Sequence, residues 1–438
     1  MQLSQHNIIT KIRDSENYAI VNMLSGNADI LEPAVGRALL DGTVTMEKEF
    51  IEKGYLVDPQ QEQSLFDEKY REYIRRRDSD EIQIFFVPWY SCNFNCSYCY
   101  QGSYESGTNA LTTDSIDAFF NRIKKQFAGK RYYVTFFGGE PLLTGPFHRS
   151  MVEHFFATAT RDAVSVAVVT NGYNLEEYVP LLSKSIIREV QVTLDGMKEV
   201  HDARRPLRGS SGPTFDRVVA GIDAALAAGL PVNFRMVVDR ENIDNLPALA
   251  AFSKERGWTD NPLFKTQLGR NYELHHCSSS PDILFSRIEL YEAVFELTKK
   301  HPEVLQFHKP AYSVTRFLSD NGTLPDPLFD ACPGCKTEWA FDYTGGIYSC
   351  TATVGKANER LGSYYPDESL DTAIVDEWKH RDVTTINECT TCTMRLACGG
   401  GCASVAKNRT GTISSTDCRP IRELVGLGIA AYYPGEDS

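Results

Sequence analysis

Cys92, Cys96 and Cys99 lie in the run Cys92-Asn-Phe-Asn-Cys96-Ser-Tyr-Cys99-Tyr100, three thiols within eight residues. A cubane iron–sulfur cluster normally takes four thiolates, so a three-Cys loop leaves one iron open to a ligand that is not a cysteine. A zinc knuckle completed by a distant fourth ligand is the other reading of that spacing. Eight further cysteines follow, Cys332, Cys335, Cys350, Cys389, Cys392, Cys398, Cys402 and Cys418, enough for two complete four-ligand sites. Two zinc ribbons could use the same eight thiols, but ribbons repeat CxxC units and only part of this set does so. Cys277 is left over beside His275 and His276. Without further ligands such a run reads as a loop or a buried free thiol rather than a metal site.

The elements that must position these groups are legible from periodicity. Ile82-Gln-Ile-Phe-Phe-Val-Pro-Trp-Tyr90 is an apolar, β-rich run that delivers the cysteine loop at its C-terminal end, where βα units keep their chemistry. Strands are predicted at 83–90, 132–138, 164–170, 189–194, 232–238 and 264–268. Helices are predicted near 112–127, 147–160, 175–185, 214–228, 244–256 and 281–300. About six βα repeats form a partial barrel rather than a closed eight-stranded one.

The expected organisation is a module over 1–80, the partial barrel over 81–305 and a Cys-rich domain over 306–438. In the first, Ile8–Ile12 and Tyr18–Asn22 read as a hairpin, Ser25-Gly26-Asn27 turns into a third strand, and a short helix near 33–41 follows. The charged stretch Leu65–Asp80 reads as a connecting helix with a solvated face. After residue 300 periodicity fades and Pro and Gly rise, so metal is expected to replace a conventional core there.

Composition narrows the partners. With 42% apolar and 24% charged residues among 438, the chain is an ordinary globular protein, and no apolar run is long enough to span a bilayer. The start lacks the features of a signal peptide, and twelve clustered cysteines suit metals in a reducing compartment, so a cytoplasmic location is expected. A net charge of −13 argues against nucleic acid as the main partner.

The CxxxCxxC spacing with an aromatic after the last cysteine resembles the radical S-adenosylmethionine (SAM) superfamily. In that family the open iron chelates SAM, and one electron cleaves its sulfur–carbon bond to give a 5'-deoxyadenosyl radical. The resemblance implies SAM contacts from Tyr98, from Gly138-Gly139-Glu140-Pro141, from Thr170-Asn171-Gly172, from Thr193-Leu-Asp195-Gly196 and from Arg205 in His201-Asp202-x-x-Arg205. Glu140 and the glycines before it match the motif that binds the SAM amino group. Read from chemistry alone, the glycines let backbone approach a ligand, and Arg205 can hold a carboxylate with both arms. Arg235 is a second such arginine, and surface salt bridges would explain either.

The C-terminal spacing, Cys335 with Gly345 and Cys350, then Cys389-x2-Cys392-x5-Cys398-x3-Cys402 and a late Cys418, resembles the SPASM extension of radical SAM enzymes. It implies one auxiliary 4Fe-4S cluster on Cys332, Cys335, Cys350 and Cys402 and another on Cys389, Cys392, Cys398 and Cys418, three clusters in all. Similar proteins mostly modify ribosomally made peptides by carbon–carbon, ether or thioether cross-links. The expected partners are therefore a precursor peptide and an electron donor such as flavodoxin or ferredoxin. The first module is weakly similar to winged-helix domains that hold leader peptides, with a plain packing cap as the alternative. Sulfatase-maturing relatives carry an Asp after the cysteine matching Cys350, and Thr351 stands here instead, which leaves no general base to nominate. A dehydrogenase acting on a sulfatase residue or small molecule, and a non-catalytic zinc-binding protein, remain the competing readings.

Overall fold

A computed structural model of the chain describes residues 1–44, 47–101, 104, 110–271 and 281–434. Cys277, His275 and His276 lie outside the described residues.

Six parallel strands occur where alternation and apolar runs predict them: β1 Ile82–Val87, β2 Tyr132–Phe136, β3 Val166–Thr170, β4 Ile187–Thr193, β5 Val232–Val238 and β6 Phe264–Arg270. They pair in chain order, each to the next, as right-handed βα units dictate. One face of the sheet is apolar. Ile84, Phe86, Val134, Phe136, Val168, Val190, Val192, Phe234 and Met236 are fully or nearly fully buried there. The helices that cover this face end where local chemistry stops them. Thr113–Gln126 begins with a capping box in which the Thr112 side chain accepts from the Ser115 N–H and Ser115 returns to the Thr112 N–H. The last helix starts at Arg287 rather than near 281, because Ser286 and Glu289 form a second capping box.

The sheet does not end with the βα units. Glu338–Asp342, β7, pairs parallel with β1, Glu338 opposite Gln83 and Asp342 opposite Val87, and turns back through β8, Gly346–Tyr348. The C-terminal region thereby extends the barrel sheet across the expected boundary at 305. The expectation that metal replaces a core after residue 300 is corrected here. Trp339, Phe341, Ile347, Tyr348, Tyr364 and Trp378 are buried in one apolar cluster continuous with the barrel core. The short segments involved carry too little alternation for their pairing to be read locally.

In the N-terminal module Asn7–Lys11, Tyr18–Asn22 and Asn27–Leu31 form an antiparallel sheet, followed by helices Pro33–Leu40, Glu47–Glu52 and Pro59–Ser79. The long helix begins at Pro59 because the Asp58 side chain caps the N–H groups of Gln60 and Gln61. Its face is not wholly solvated. Phe66, Tyr70 and Tyr73 surround Phe329 at ring centroid distances of 5.2, 5.2 and 5.5 Å, and Tyr70 Oη donates to Asp382 at 2.7 Å. Ile8, Val21, Phe66, Phe329, Ile386, Cys389, Cys398 and Val425 share one core, so the module is built onto the Cys-rich region. Gly426 in the last helix touches the first strand so closely that a Cβ there would lie 2.6 Å from the Lys11 carbonyl oxygen.

Candidate metal and cofactor site

The loops leaving β1 to β4 meet at the C-terminal edge of the sheet, and their side chains interlock. Glu140 is buried at 1% exposure. Its Oε1 accepts from Thr170 Oγ1 at 2.6 Å and from the Leu142 N–H at 2.8 Å, while Oε2 accepts from the Asn171 N–H at 2.6 Å. A carboxylate offers about four acceptor positions, so about one remains for a ligand. Burial pushes Glu140 above the ordinary carboxylate range, and the three donors pull it back.

The glycines before it have a reason different from the expected one. A Cβ on Gly139 would lie 2.2 Å from the Ser91 carbonyl oxygen and 2.5 Å from that of Tyr90. The close neighbour is thus the root of the cysteine loop itself. Gly139 donates its N–H to the Trp89 carbonyl at 3.2 Å and Glu140 to that of Ser91 at 3.0 Å, locking the loop to the second strand end.

Asn171 extends the lock to the thiols: its Nδ2 donates to Asn93 Oδ1 at 2.7 Å and points at Cys92 Sγ, 3.9 Å away. Tyr98 joins the fourth strand end, its hydroxyl donating to Asp195 Oδ2 at 2.5 Å and accepting from Arg205 Nη1 at 2.5 Å. Asp195 also accepts from the Val237 N–H at 2.9 Å. Thr193, the last residue of β4 and two before Asp195, is also buried. Arg204, which sequence reading passed over, grips Asp239 with both arms at 2.9 Å and lies 5.2 Å from the Tyr98 ring centre. The rim therefore carries two hydrogen-bonded groups, Glu140 with Thr170 and Asn171, and Tyr98 with Asp195 and Arg205. Arg235 stands apart on β5, packed across Gly269 of β6.

The thiols sort themselves into three groups by their effect on one another. Burial pushes Cys92 up to about 12, with Glu140, Cys96 and Cys99 adding to it. Burial likewise pushes Cys96 up to about 11, against the pull of Arg205 and with Cys99 adding. Burial raises Cys350 well above the usual thiol range, followed by Glu338, Cys332 and Cys402, and Cys335 rises with Cys332 beside it. Cys389 is pushed up to about 12 by burial and then by Cys398, Cys392 and Cys418. Among the described residues no three Cys, His, Asp or Glu side chains converge on one point as ligands of a single ion.

Between the first two groups lies Tyr100, influenced by both Cys99 and Cys350 and stacked edge-on with Tyr104 at 6.3 Å. Sequence reading also missed Glu338 on β7. Its Oε1 accepts from the Thr351 N–H at 2.8 Å and from Thr351 Oγ1 at 3.0 Å. The residue that departs from the sulfatase-maturing pattern is thus engaged with a carboxylate brought from thirteen residues earlier.

Residues 86–253 match the family model of the radical SAM superfamily. The chain carries a radical SAM domain on a parallel-rich α/β sheet and is a radical SAM superfamily enzyme. It is homologous to the mycofactocin maturase MftC of Mycolicibacterium smegmatis (strain ATCC 700084 / mc(2)155), 25% identical over 328 residues, 72% of this chain and 76% of that protein. Among solved structures, native anSMEcpe with bound AdoMet is similar with a TM-score of 0.61 and 16% identity, over 81% of this chain and 97% of that one. Streptococcus suis SuiB bound to the precursor peptide SuiA is similar with a TM-score of 0.54 and 13% identity, over 96% of this chain and 99% of that one. The family assignment removes the reading as a non-catalytic zinc-binding protein. Among the described residues no helix is long and apolar enough to cross a membrane.

The family implies a 4Fe-4S cluster and SAM, and the residues present fit both. Buried thiols that hold their protons without a cation are the donors that a metal deprotonates on binding. Arg205 is buried with its Nε unpartnered beside Cys96 and Tyr98, an open donor for an anionic group at the rim.

Proposed function

We propose that this protein is a radical SAM peptide maturase that abstracts hydrogen from a side chain of a ribosomal precursor peptide and forms an oxidative cross-link, carbon–carbon, ether or thioether. Cys92, Cys96 and Cys99 would hold the SAM-binding cluster, and Tyr98, Gly138, Gly139, Glu140, Thr170, Asn171, Thr193, Asp195 and Arg205 would surround SAM. When bound, the cluster supplies the electron that cleaves SAM. The chain's own residues position the loop, exclude water and hold the nucleotide in one orientation.

The observation that carries this reading is the extent of likeness to SuiB, which takes in 96% of the chain and so includes segments before and after the barrel. SuiB was solved with its precursor peptide, and MftC is a maturase. The module over 1–80 would then hold part of the precursor. Two auxiliary clusters, on Cys332, Cys335, Cys350 and Cys402 and on Cys389, Cys392, Cys398 and Cys418, would take the second electron of a net oxidation. A flavodoxin or ferredoxin would reduce the first cluster.

The test is incubation of the enzyme with SAM, reductant and the peptide encoded by a short reading frame beside its gene, followed by mass spectrometry. Loss of two hydrogens from the peptide supports the reading. An unchanged peptide alongside active SAM cleavage counts against it and favours a dehydrogenase with another substrate.

A further inference from the structure

Arg395 is, with Arg381, a buried cation of the Cys-rich region. It opens the one-turn helix Arg395–Cys398, between Cys392 and Cys398, and only 7% of it is exposed. Its Nη1 donates to the Thr390 carbonyl at 2.5 Å, inside the loop that joins Cys389 to Cys392. The remaining contacts come from the other end of the chain. The guanidinium lies 4.4 Å from the centre of the Phe66 ring, and Nη2 stands 3.5 Å from His6 Nε2. His6 itself stacks on Phe66 at 5.6 Å with an interplanar angle of 14°, so ring, imidazole and guanidinium form one pile. Arg395 Nε and His6 Nδ1 are both buried without partners.

A buried guanidinium keeps its charge, because its intrinsic basicity is too high for burial to remove it. Arg395 is more than this helix needs to form. A neutral side chain on the Phe66 face would avoid the cost of burying a charge there. Its presence beside Cys389 and Cys392 has an electrostatic consequence. Reducing a thiolate-bound cluster adds negative charge, and a fixed cation nearby stabilises the reduced state, so net charge around a cluster sets its potential.

We propose that Arg395 is the positioning charge that raises the reduction potential of the auxiliary cluster on Cys389, Cys392, Cys398 and Cys418, and that the N-terminal module fixes it in place through His6 and Phe66. The inference rests on the reading of those four cysteines as cluster ligands. It gives the module a second task, since whatever moves His6 or Phe66 also moves the charge that poises the distal cluster.

The test uses full-length protein with Cys92, Cys96 and Cys99 replaced by Ala, so that auxiliary clusters alone are observed by potential-controlled EPR, with iron counted on every sample. Arg395→Gln is expected to lower one of two midpoint potentials at least tenfold in its reduction equilibrium, about 59 mV for one electron, with iron content unchanged. Arg395→Lys, which keeps the charge, should restore most of that shift, and His6→Ala should lower the same potential by a smaller amount. Unchanged potentials in Arg395→Gln at full iron content overturn the proposal. So does Arg395→Lys behaving like Arg395→Gln, which would make the guanidinium a structural brace, or loss of iron from Arg395→Gln. An unmoved potential in His6→Ala overturns the part given to the module. A parent protein holding one auxiliary cluster instead of two would show that the cluster reading itself fails.

Discussion

Replacing Glu140 by Gln perturbs the rim at its most connected point. The carboxylate accepts from Thr170 Oγ1 and the Leu142 N–H through Oε1, and from the Asn171 N–H at 2.6 Å through Oε2. The amide of Gln can keep its oxygen in the Oε1 place, but its NH2 then faces the Asn171 N–H, donor against donor. One hydrogen bond to a charged group, about 1.5–3 kcal/mol, is lost and a buried N–H is left unpaired at about 1–3 kcal/mol. The burial that pushes Glu140 upward works the other way, since a neutral amide has no charge to desolvate. The net loss is about 2–3 kcal/mol, a fall of roughly 4–12 °C in Tm for a domain of the barrel's size. Anaerobic thermal scans of reconstituted protein read the first effect, and 5'-deoxyadenosine formation reads the second. Cleavage should drop because Asn171, displaced, no longer ties Asn93 and the Cys92 loop to the third strand. A variant within about 1 °C of the parent with undiminished cleavage would refute this account of Glu140.

Gly139→Ala should cost about 3 kcal/mol and reduce SAM cleavage, since the new Cβ meets two backbone oxygens at 2.2 and 2.5 Å. Gly212→Ala, which meets only side-chain atoms at 3.3 and 3.4 Å, should leave both readouts near the parent values. Thr351→Val loses one hydrogen bond to Glu338 and should cost about 1 kcal/mol. Thr351→Asp sets a second carboxylate against the first and should cost more in thermal scans, with the difference shrinking as pH falls and one of the pair protonates. His6 and His308 are held down to about 3 and about 4, chiefly by burial, so both are neutral in the folded chain. Depressed folded values mean that their contribution is complete above about pH 6.5 and is lost as pH falls towards 4, by about 1.4 kcal/mol per unit for each. Urea unfolding at two pH values checks this, and His308→Gln should remove about half of that slope.

The βα alternation was legible because each strand and helix carries its own period. Strand starts and ends in the barrel fall within a few residues of the positions that periodicity marks. Two helix starts were also written locally, in Asp58-Pro59 and in Ser286-Arg-Ile-Glu289, and capping chemistry marks them better than hydrophobic spacing does. The pairing of β7 with β1 was not legible, because residues some 250 positions apart choose each other through the shared core rather than through any local signal. For the same reason the sequence showed Thr351 where sulfatase-maturing relatives carry an Asp, but not that Glu338 on β7 supplies a carboxylate to it. Gly139 shows the converse. The need for glycine was legible, but its cause, the carbonyls of Tyr90 and Ser91, belongs to tertiary packing. Arg395 gave no signal at all, since its partners His6 and Phe66 lie more than 300 residues away.

The most direct measurement concerns the open iron of the first cluster. Chain with Cys92, Cys96 and Cys99 replaced by Ala, purified without oxygen, is expected to fall from about 12 to about 8 irons and to form no 5'-deoxyadenosine from SAM. Continued SAM cleavage by that variant, or an unchanged iron count, would contradict the central claim.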